Sequence, residues 1–186
     1  MKLTTTLLSF LLVSACNNSV ESDSSPSASD FTGADSVKMD DVPDGTAMAN
    51  DLVPPSESSA LFQFLKSGDY KSLVAEPEVH PSFGPHGDVR VFANQRLVDS
   101  LKAGSDSHPV GSAAIKELFK NGALIGWAVE VKVAAASAPE SWYWYETFDV
   151  ETGELALPDG VAITACTGCH NFGEDFVTTT AESFGL

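Results

Sequence analysis

Cys166-Thr167-Gly168-Cys169-His170 is a run whose spacing dictates a chemistry. Two thiols three positions apart, followed at once by an imidazole, fit the attachment sequence for a c-type haem. The thiols reach the two vinyl groups on one edge of a porphyrin, and the histidine swings under the iron as its axial ligand. Two other chemistries use a Cys-x-x-Cys pair. A thiol–disulfide exchanger carries it where a strand opens a helix, early in a βαβ unit, whereas here it lies near the C-terminus of a chain that reads as antiparallel. Zinc needs four donors in a closed shell, and beyond the motif only His80, His86 and His108 offer imidazoles. The expected cofactor is one covalent haem c per chain, with His170 as the metal ligand.

The sixth iron position has no obvious occupant. The residues after His170 hold neither methionine nor histidine, so the downstream methionine of small electron-transfer cytochromes has no counterpart. Met39 and Met48 fall in a tether-like stretch, and His80, His86 and His108 sit in Pro/Gly-rich turns, where each reads as a loop or sheet-edge residue. The expectation is five-coordinate iron with an open face, suited to binding or converting a small molecule.

Such haem is attached outside the bacterial cytoplasm, and the N-terminus reads accordingly. Lys2, an apolar run from Leu7 to Val13, then Ser14-Ala15-Cys16 make a secretory signal over residues 1–15. The run is too short to span a bilayer, which takes ~20 apolar residues. Val13-Ser14-Ala15-Cys16 also resembles a lipobox, which would make Cys16 a lipidated mature N-terminus anchored by acyl chains. Ordinary cleavage with Cys16 incidental is the plainer alternative. The expected location is the periplasmic face of a bacterial membrane, the outer one in preference to the inner. Lipidation of Cys16 leaves Cys166 and Cys169 as the mature thiols, too few for a disulfide framework.

With 26 acidic and 10 basic residues the net charge is −16, which argues against nucleic acid as a partner. An acidic surface suits a basic redox partner, such as another cytochrome, and suits solubility equally.

Residues 16–57 carry nine acidic residues, one lysine and many Ser, Pro, Ala and Gly, the composition of a self-repelling tether. The folded domain is expected over 58–186. Ala60–Leu65 followed by Gly68 predicts a short helix with a glycine stop, and a second short helix fits 70–75. His80–Gly87 reads as a loop. Val89–Ala93 alternates like a strand, and Asn94 caps a helix to Ala103. Ala113–Phe119 and Leu124–Val133 flank Asn121-Gly122, a strong hairpin signal. In the second of these strands Trp127, Val129, Val131 and Val133 share one face, with Glu130 and Lys132 on the other, read as solvated. Ser141–Val150 is a third, aromatic strand, and 161–171 form a helix or turn. Phe92, Phe119, Trp127 and Phe148 are expected in the core. The fold class is α+β, mainly an antiparallel sheet with short helices and a C-terminal haem motif.

Gly111-Ser112-Ala113-Ala114-Ile115-Lys116-Glu117-Leu118-Phe119, Trp142-Tyr143-Trp144-Tyr145 and the terminal Cys-x-x-Cys-His together resemble the cytochrome P460 family, whose fold is shared with the cytochromes c′-beta. The similarity spans about residues 86–180. It implies that Lys116 contacts or is cross-linked to a haem meso carbon through its amine, with hydroxylamine or nitric oxide as substrate or ligand. It also implies a homodimer. Ala114, Lys116 and Leu118 share a strand face, so a lysine interrupts an apolar line. A buried free ammonium costs several kcal/mol, relieved by haem contact. The alternative is a snorkelling lysine paired with Glu130 or Glu146. Family members that oxidise hydroxylamine use a carboxylate as proton acceptor. An ungapped reading puts Ala128 there, and Glu130 replaces it only if the register shifts. His86 and Arg90 could each bind a haem propionate, Arg90 in bidentate fashion, or lie on the surface.

Two functions follow. One is an oxidoreductase acting on hydroxylamine or nitric oxide, with Lys116 and Glu130 as catalytic residues. The other is a non-catalytic protein that binds nitric oxide or a similar gas. Simple electron transfer ranks behind both.

Overall fold

The computed structural model describes residues 49–186. The signal segment, Cys16 and most of the tether lie outside the described residues, so the expectations made for them stay as they are.

Seven antiparallel strands and three short helices make up the domain. The strands are β1 (Val74–Ala75), β2 (His80–Pro81), β3 (Asp88–Ala93), β4 (Ala113–Lys120), β5 (Ala123–Lys132), β6 (Trp142–Thr147) and β7 (Gly160–Val161). They run in the order β1-β3-β4-β5-β6-β7, with β2 also pairing with β3. The helices are α1 (Ser58–Ser67), α2 (Gln95–Lys102) and α3 (Thr164–His170). The α+β expectation holds.

Local chemistry accounts for the helix ends. The Glu57 side chain accepts hydrogen bonds from the N–H groups of Ser59 and Ala60 at 3.0 and 2.9 Å, satisfying donors that open every helix. Those same bonds hold its carboxyl below the ordinary range. Gly68, at φ 80°, closes α1 in the left-handed conformation that glycine tolerates. Asn94 accepts from the Leu97 N–H at 3.2 Å to cap α2. At the β4–β5 hairpin Asn121 and Gly122 both have positive φ, 53° and 77°, as a mirror-image tight turn requires.

Several expectations shift. His80 and Pro81, read as loop, form β2 against β3, and Phe119 is half-buried at the end of β4 instead of core. The stretch read as a second helix is a 3₁₀ turn over Asp69–Ser72 leading into β1, because β3 offers a free edge for Val74 and Ala75 to pair with. The folded part starts earlier than Ser58: Asp51 pairs with Arg96 at 2.9 Å, the Leu52 carbonyl accepts from Asn94 at 3.3 Å, and Pro54 is buried. Composition alone could not separate these residues from the tether. Phe148 is exposed instead of core, since β6 ends at Thr147 and the chain turns away.

Both faces of the sheet are covered, because strand alternation sends odd and even positions to opposite sides. On one face α1 packs Leu61 and Leu65, with Tyr70 and Leu73, against Phe92, Ile115, Trp127, Val129 and Tyr145. On the other, Leu97 and Val98 of α2, with Val177 and Phe184 of the C-terminal segment, pack against Val91, Ala114, Trp142 and Trp144. Glu130 and Lys132 belong to this second face, and at 6% and 1% exposure they are not on a solvated surface. The reading failed because a strand's polar positions look the same in sequence whether water or a second layer lies over them.

Candidate functional site

The second face and α3 enclose a cavity of about 840 Å³, within the size range of cofactor and ligand sites. Its wall is set by strand register. One row across the sheet reads Val91–Lys116–Ala128–Glu146, and the next reads Ala93–Ala114–Glu130–Trp144. Opposite, α3 brings Cys166, Cys169 and His170 to the cavity. Positions i, i+3 and i+4 share one stripe of a helix, so the three groups emerge side by side. The loop after β2 adds Phe83, Pro85 and His86.

Cys166 and Cys169 are free thiols. Burial, with Glu146 and Glu130 nearby, pushes the Cys166 thiol up to about 11. Dithiol exchange centres need the opposite shift. Among the described residues no group of three or more His, Cys, Asp or Glu is arranged to hold a metal ion directly.

The His170 ring is held on three sides. Its Nδ1 lies 2.8 Å from the Phe176 carbonyl, which must accept there, so Nδ1 carries the proton and Nε2 keeps a lone pair. That is the tautomer a metal-binding histidine needs. Glu130 Oε2 lies 3.0 Å from the same nitrogen but off the N–H direction, since that oxygen has no aligned hydrogen bond. The contact is electrostatic. Trp144 packs edge-on at 4.6 Å between centroids. Burial alone would lower the pKa of His170, but Glu130 and the Phe176 carbonyl outweigh it and hold it above the ordinary value.

The turn supplying that carbonyl is strained. Val177 N–H bonds the Glu174 carbonyl at 2.9 Å across Asp175 and Phe176, whose φ values are 45° and 70°. Such turns favour Asn and Gly, and each non-glycine residue held this way costs about 1–3 kcal/mol unless its surroundings impose the conformation. They do: the Asp175 side chain is wholly buried and accepts from Lys132 Nζ at 2.5 Å and from the His108 backbone N–H at 2.8 Å. Burial would raise the Asp175 carboxyl, but these donors hold it below the ordinary range.

The expected site residues meet with one exception. Lys116, Glu130, His86, Cys166, Cys169 and His170 all line the cavity. Lys116 has neither a hydrogen bond nor an ion pair among the described residues, so the pairing with Glu130 or Glu146 is not formed. Glu130 flanks the His170 imidazole and so does not face it across the cavity as a free base would. His86 Nε2 lies 3.0 Å from Glu146 Oε1. Arg90 is the exception: it points to the opposite face, where Nε donates to the Glu76 carbonyl at 2.8 Å and the guanidinium lies 5.2 Å from the Phe92 ring. Its position between Val89 and Val91, both lining the cavity, dictates that.

Sequence reasoning missed Glu76. It is buried, lines the cavity, and contacts His80 Nε2 at 2.9 Å while accepting from the Val91 N–H at 2.8 Å. The Glu76 hydrogen bond raises the pKa of His80. The only sequence hint was the i, i+4 spacing of Glu76 and His80, which means little outside a helix. Each imidazole in the cavity therefore contacts a buried glutamate: His80 with Glu76, His86 with Glu146, His170 with Glu130.

The residues present fit a c-type haem: two free thiols and an imidazole on one helical stripe, the ring nitrogen away from the backbone acceptor free to ligate, and a cavity large enough for a cofactor. Compared with protein-family models, curated proteins and solved structures, the chain finds no match in any of the three.

Proposed function

We propose that this protein is a mono-haem c-type cytochrome that binds or oxidises small nitrogen species, hydroxylamine or nitric oxide, at an iron with an open sixth position. Export, a lipid anchor at Cys16 and a redox partner cytochrome belong to the same proposal. The observation that carries it is the stripe Cys166, Cys169, His170 facing the cavity, with His170 Nδ1 occupied by the Phe176 carbonyl. When bound, the haem supplies an iron that takes a small ligand and exchanges electrons.

The chain's own groups define the rest. His170 presents Nε2, and Trp144 and the Phe176 carbonyl fix its plane. Lys116 stands on the sheet wall without a partner, available to contact the macrocycle or be cross-linked to it through its amine. The described residues contain no methionine. His80 and His86 have their Nε2 atoms against Glu76 and Glu146, which favours an open sixth position. Because every cavity imidazole and its glutamate already contact each other, a proton leaving a bound N–H substrate would go to a Glu–His pair and not to a lone carboxylate. If no pair can reach the substrate, the protein binds nitric oxide without turnover, since positioned bases supply ~10²–10⁴-fold in rate.

The test is the optical spectrum, oxidised and reduced, of protein produced with haem-attachment machinery, beside a Lys116→Ala variant. Covalent haem retained after denaturation is expected, and is lost when Cys166 and Cys169 are replaced by alanine. A strongly red-shifted ferrous Soret band that reverts in Lys116→Ala identifies the cross-link and makes hydroxylamine oxidation the assay to run. A high-spin spectrum unchanged in the variant favours gas binding. A low-spin spectrum refutes the open position, and absence of covalent haem refutes the proposal.

A further inference from the structure

Lys132 and Asp175 form a buried ion pair that nothing in the proposed chemistry uses directly. Both side chains are fully shielded from solvent, 2.5 Å apart. Lys132 Nζ also donates to the Ala136 carbonyl at 2.9 Å and lies 5.0 Å from the Trp142 ring. Asp175 further accepts from the His108 N–H at 2.8 Å and from Ser107 at 3.3 Å. The pair therefore bolts the C-terminal segment to the end of β5.

What it bolts down is the turn at Asp175 and Phe176, in which neither residue would choose a positive φ. One residue beyond Asp175, the Phe176 carbonyl meets His170 Nδ1 at 2.8 Å. A chain of three contacts thus leads from the sheet to the imidazole: Lys132 to Asp175, Asp175 through the turn to Phe176, and Phe176 to His170. Gly173 completes the geometry, because a Cβ there would fall 2.0 Å from the Val177 carbonyl oxygen. An axial histidine whose far N–H is held by a good acceptor is a more basic ligand and stabilises the more oxidised metal.

We infer that Lys132 and Asp175 are positioning residues for the axial ligand: through the strained turn they hold the Phe176 carbonyl on His170 Nδ1 and keep the iron's reduction potential low. The inference rests on the haem reading above. Loosening the bolt lets the carbonyl drift, weakens the Nδ1–H bond, and shifts the ferric–ferrous balance toward ferrous iron.

The experiment uses haem-loaded full-length protein and two variants. Asp175→Ala removes the carboxylate without supplying a residue that favours the turn, but leaves Lys132 buried without its counter-ion, so it can fail to fold. The double variant Lys132→Met with Asp175→Leu removes both charges, a change that buried pairs commonly tolerate. Folding is checked by circular dichroism, and the readouts are the one-electron potential and the ferrous iron–histidine stretching band. The expected result, in whichever variants fold, is a roughly 10-fold shift toward ferrous iron at fixed solution potential, equivalent to ~59 mV. The iron–histidine band is expected to move to lower frequency. A folded, haem-loaded variant with the wild-type potential and band overturns the inference and leaves the haem reading intact. Wild-type protein without covalent haem removes the reading itself.

Discussion

Replacing Tyr70 by phenylalanine removes one oxygen that two buried groups share. Tyr70 Oη donates to Glu117 Oε1 at 2.5 Å and accepts from Trp127 Nε1 at 3.1 Å. Burial and the Glu117 carboxylate both push the phenol up, so it remains a protonated donor at any ordinary pH. The ring stays in Tyr70→Phe, and with it the edge-on contact to Phe92 at 5.1 Å, so no cavity of consequence opens. What remains is a carboxylate only 6% exposed and an indole N–H, both without partners. A hydrogen bond to a charged group is worth ~1.5–3 kcal/mol, and an orphaned buried donor costs ~1–3 kcal/mol. Because one hydroxyl serves both, the sum is taken at about 3 kcal/mol. With an unfolding entropy of ~2.1 cal/mol/K per residue over roughly 140 residues, that lowers Tm by about 10 °C. Urea and thermal unfolding of wild type and Tyr70→Phe measure it, with Tyr70→Phe/Glu117→Gln as control. The double variant should recover ~1 kcal/mol, because the stranded group is then neutral. A Tyr70→Phe variant within 0.5 kcal/mol of wild type (about the limit for an inconsequential change) would refute the reasoning, as would a double variant less stable than the single.

Burial depresses the pKa of His108, which outweighs the pull of Asp175 and Glu130 in the other direction. The unfolded chain therefore takes up a proton near pH ~6.5 that the folded chain refuses, and stability falls below that pH by up to ~1.4 kcal/mol per unit. Urea midpoints between pH 7.5 and 5 should show a shallower acid limb in His108→Gln; equal slopes would sink the assignment. In haem-free protein at pH 8, a thiol of pKa about 11 is ionised in about one molecule per thousand. Alkylation of Cys166 should accordingly run ~100-fold or more below that of an unperturbed model thiol of pKa ~8.5, and equal rates by mass spectrometry would contradict the burial argument. Compared with a chain beginning at Ala49, one beginning at Ser58 loses the Glu57 cap, the Asp51–Arg96 pair and the Asn94–Leu52 hydrogen bond. That loss amounts to about 2 kcal/mol, and indistinguishable midpoints would return those residues to the tether.

Local signals were legible in the sequence because they depend on a few adjacent residues. Asn121-Gly122 specifies its turn through two positive φ angles, Gly68 stops α1 for the same reason, and Asn94 caps α2 with its own side chain. The Cys-x-x-Cys-His spacing already placed two thiols and an imidazole side by side on one helical stripe, and period-two alternation grouped Ala114, Lys116 and Leu118. What alternation cannot say is which face lies under a second layer. Glu130 and Lys132 look like solvent-facing positions until α3 and the C-terminal segment cover them. Arg90 and His86, four residues apart, separate for a similar reason, one on a strand position facing the Phe92 side and the other on a loop that folds over the cavity. Glu76, Asp175 and Phe176 had no distinguishing mark in sequence. Their roles arise largely from partners up to 68 positions away, or from a turn their own residue types disfavour. By itself the sequence specified the β4–β5 hairpin, the helix ends and the Cys-x-x-Cys-His stripe, because each follows from short-range spacing. Only the tertiary structure decided which carboxylate meets which imidazole and what holds His170 in place, because burial and register bring together residues that no local pattern connects.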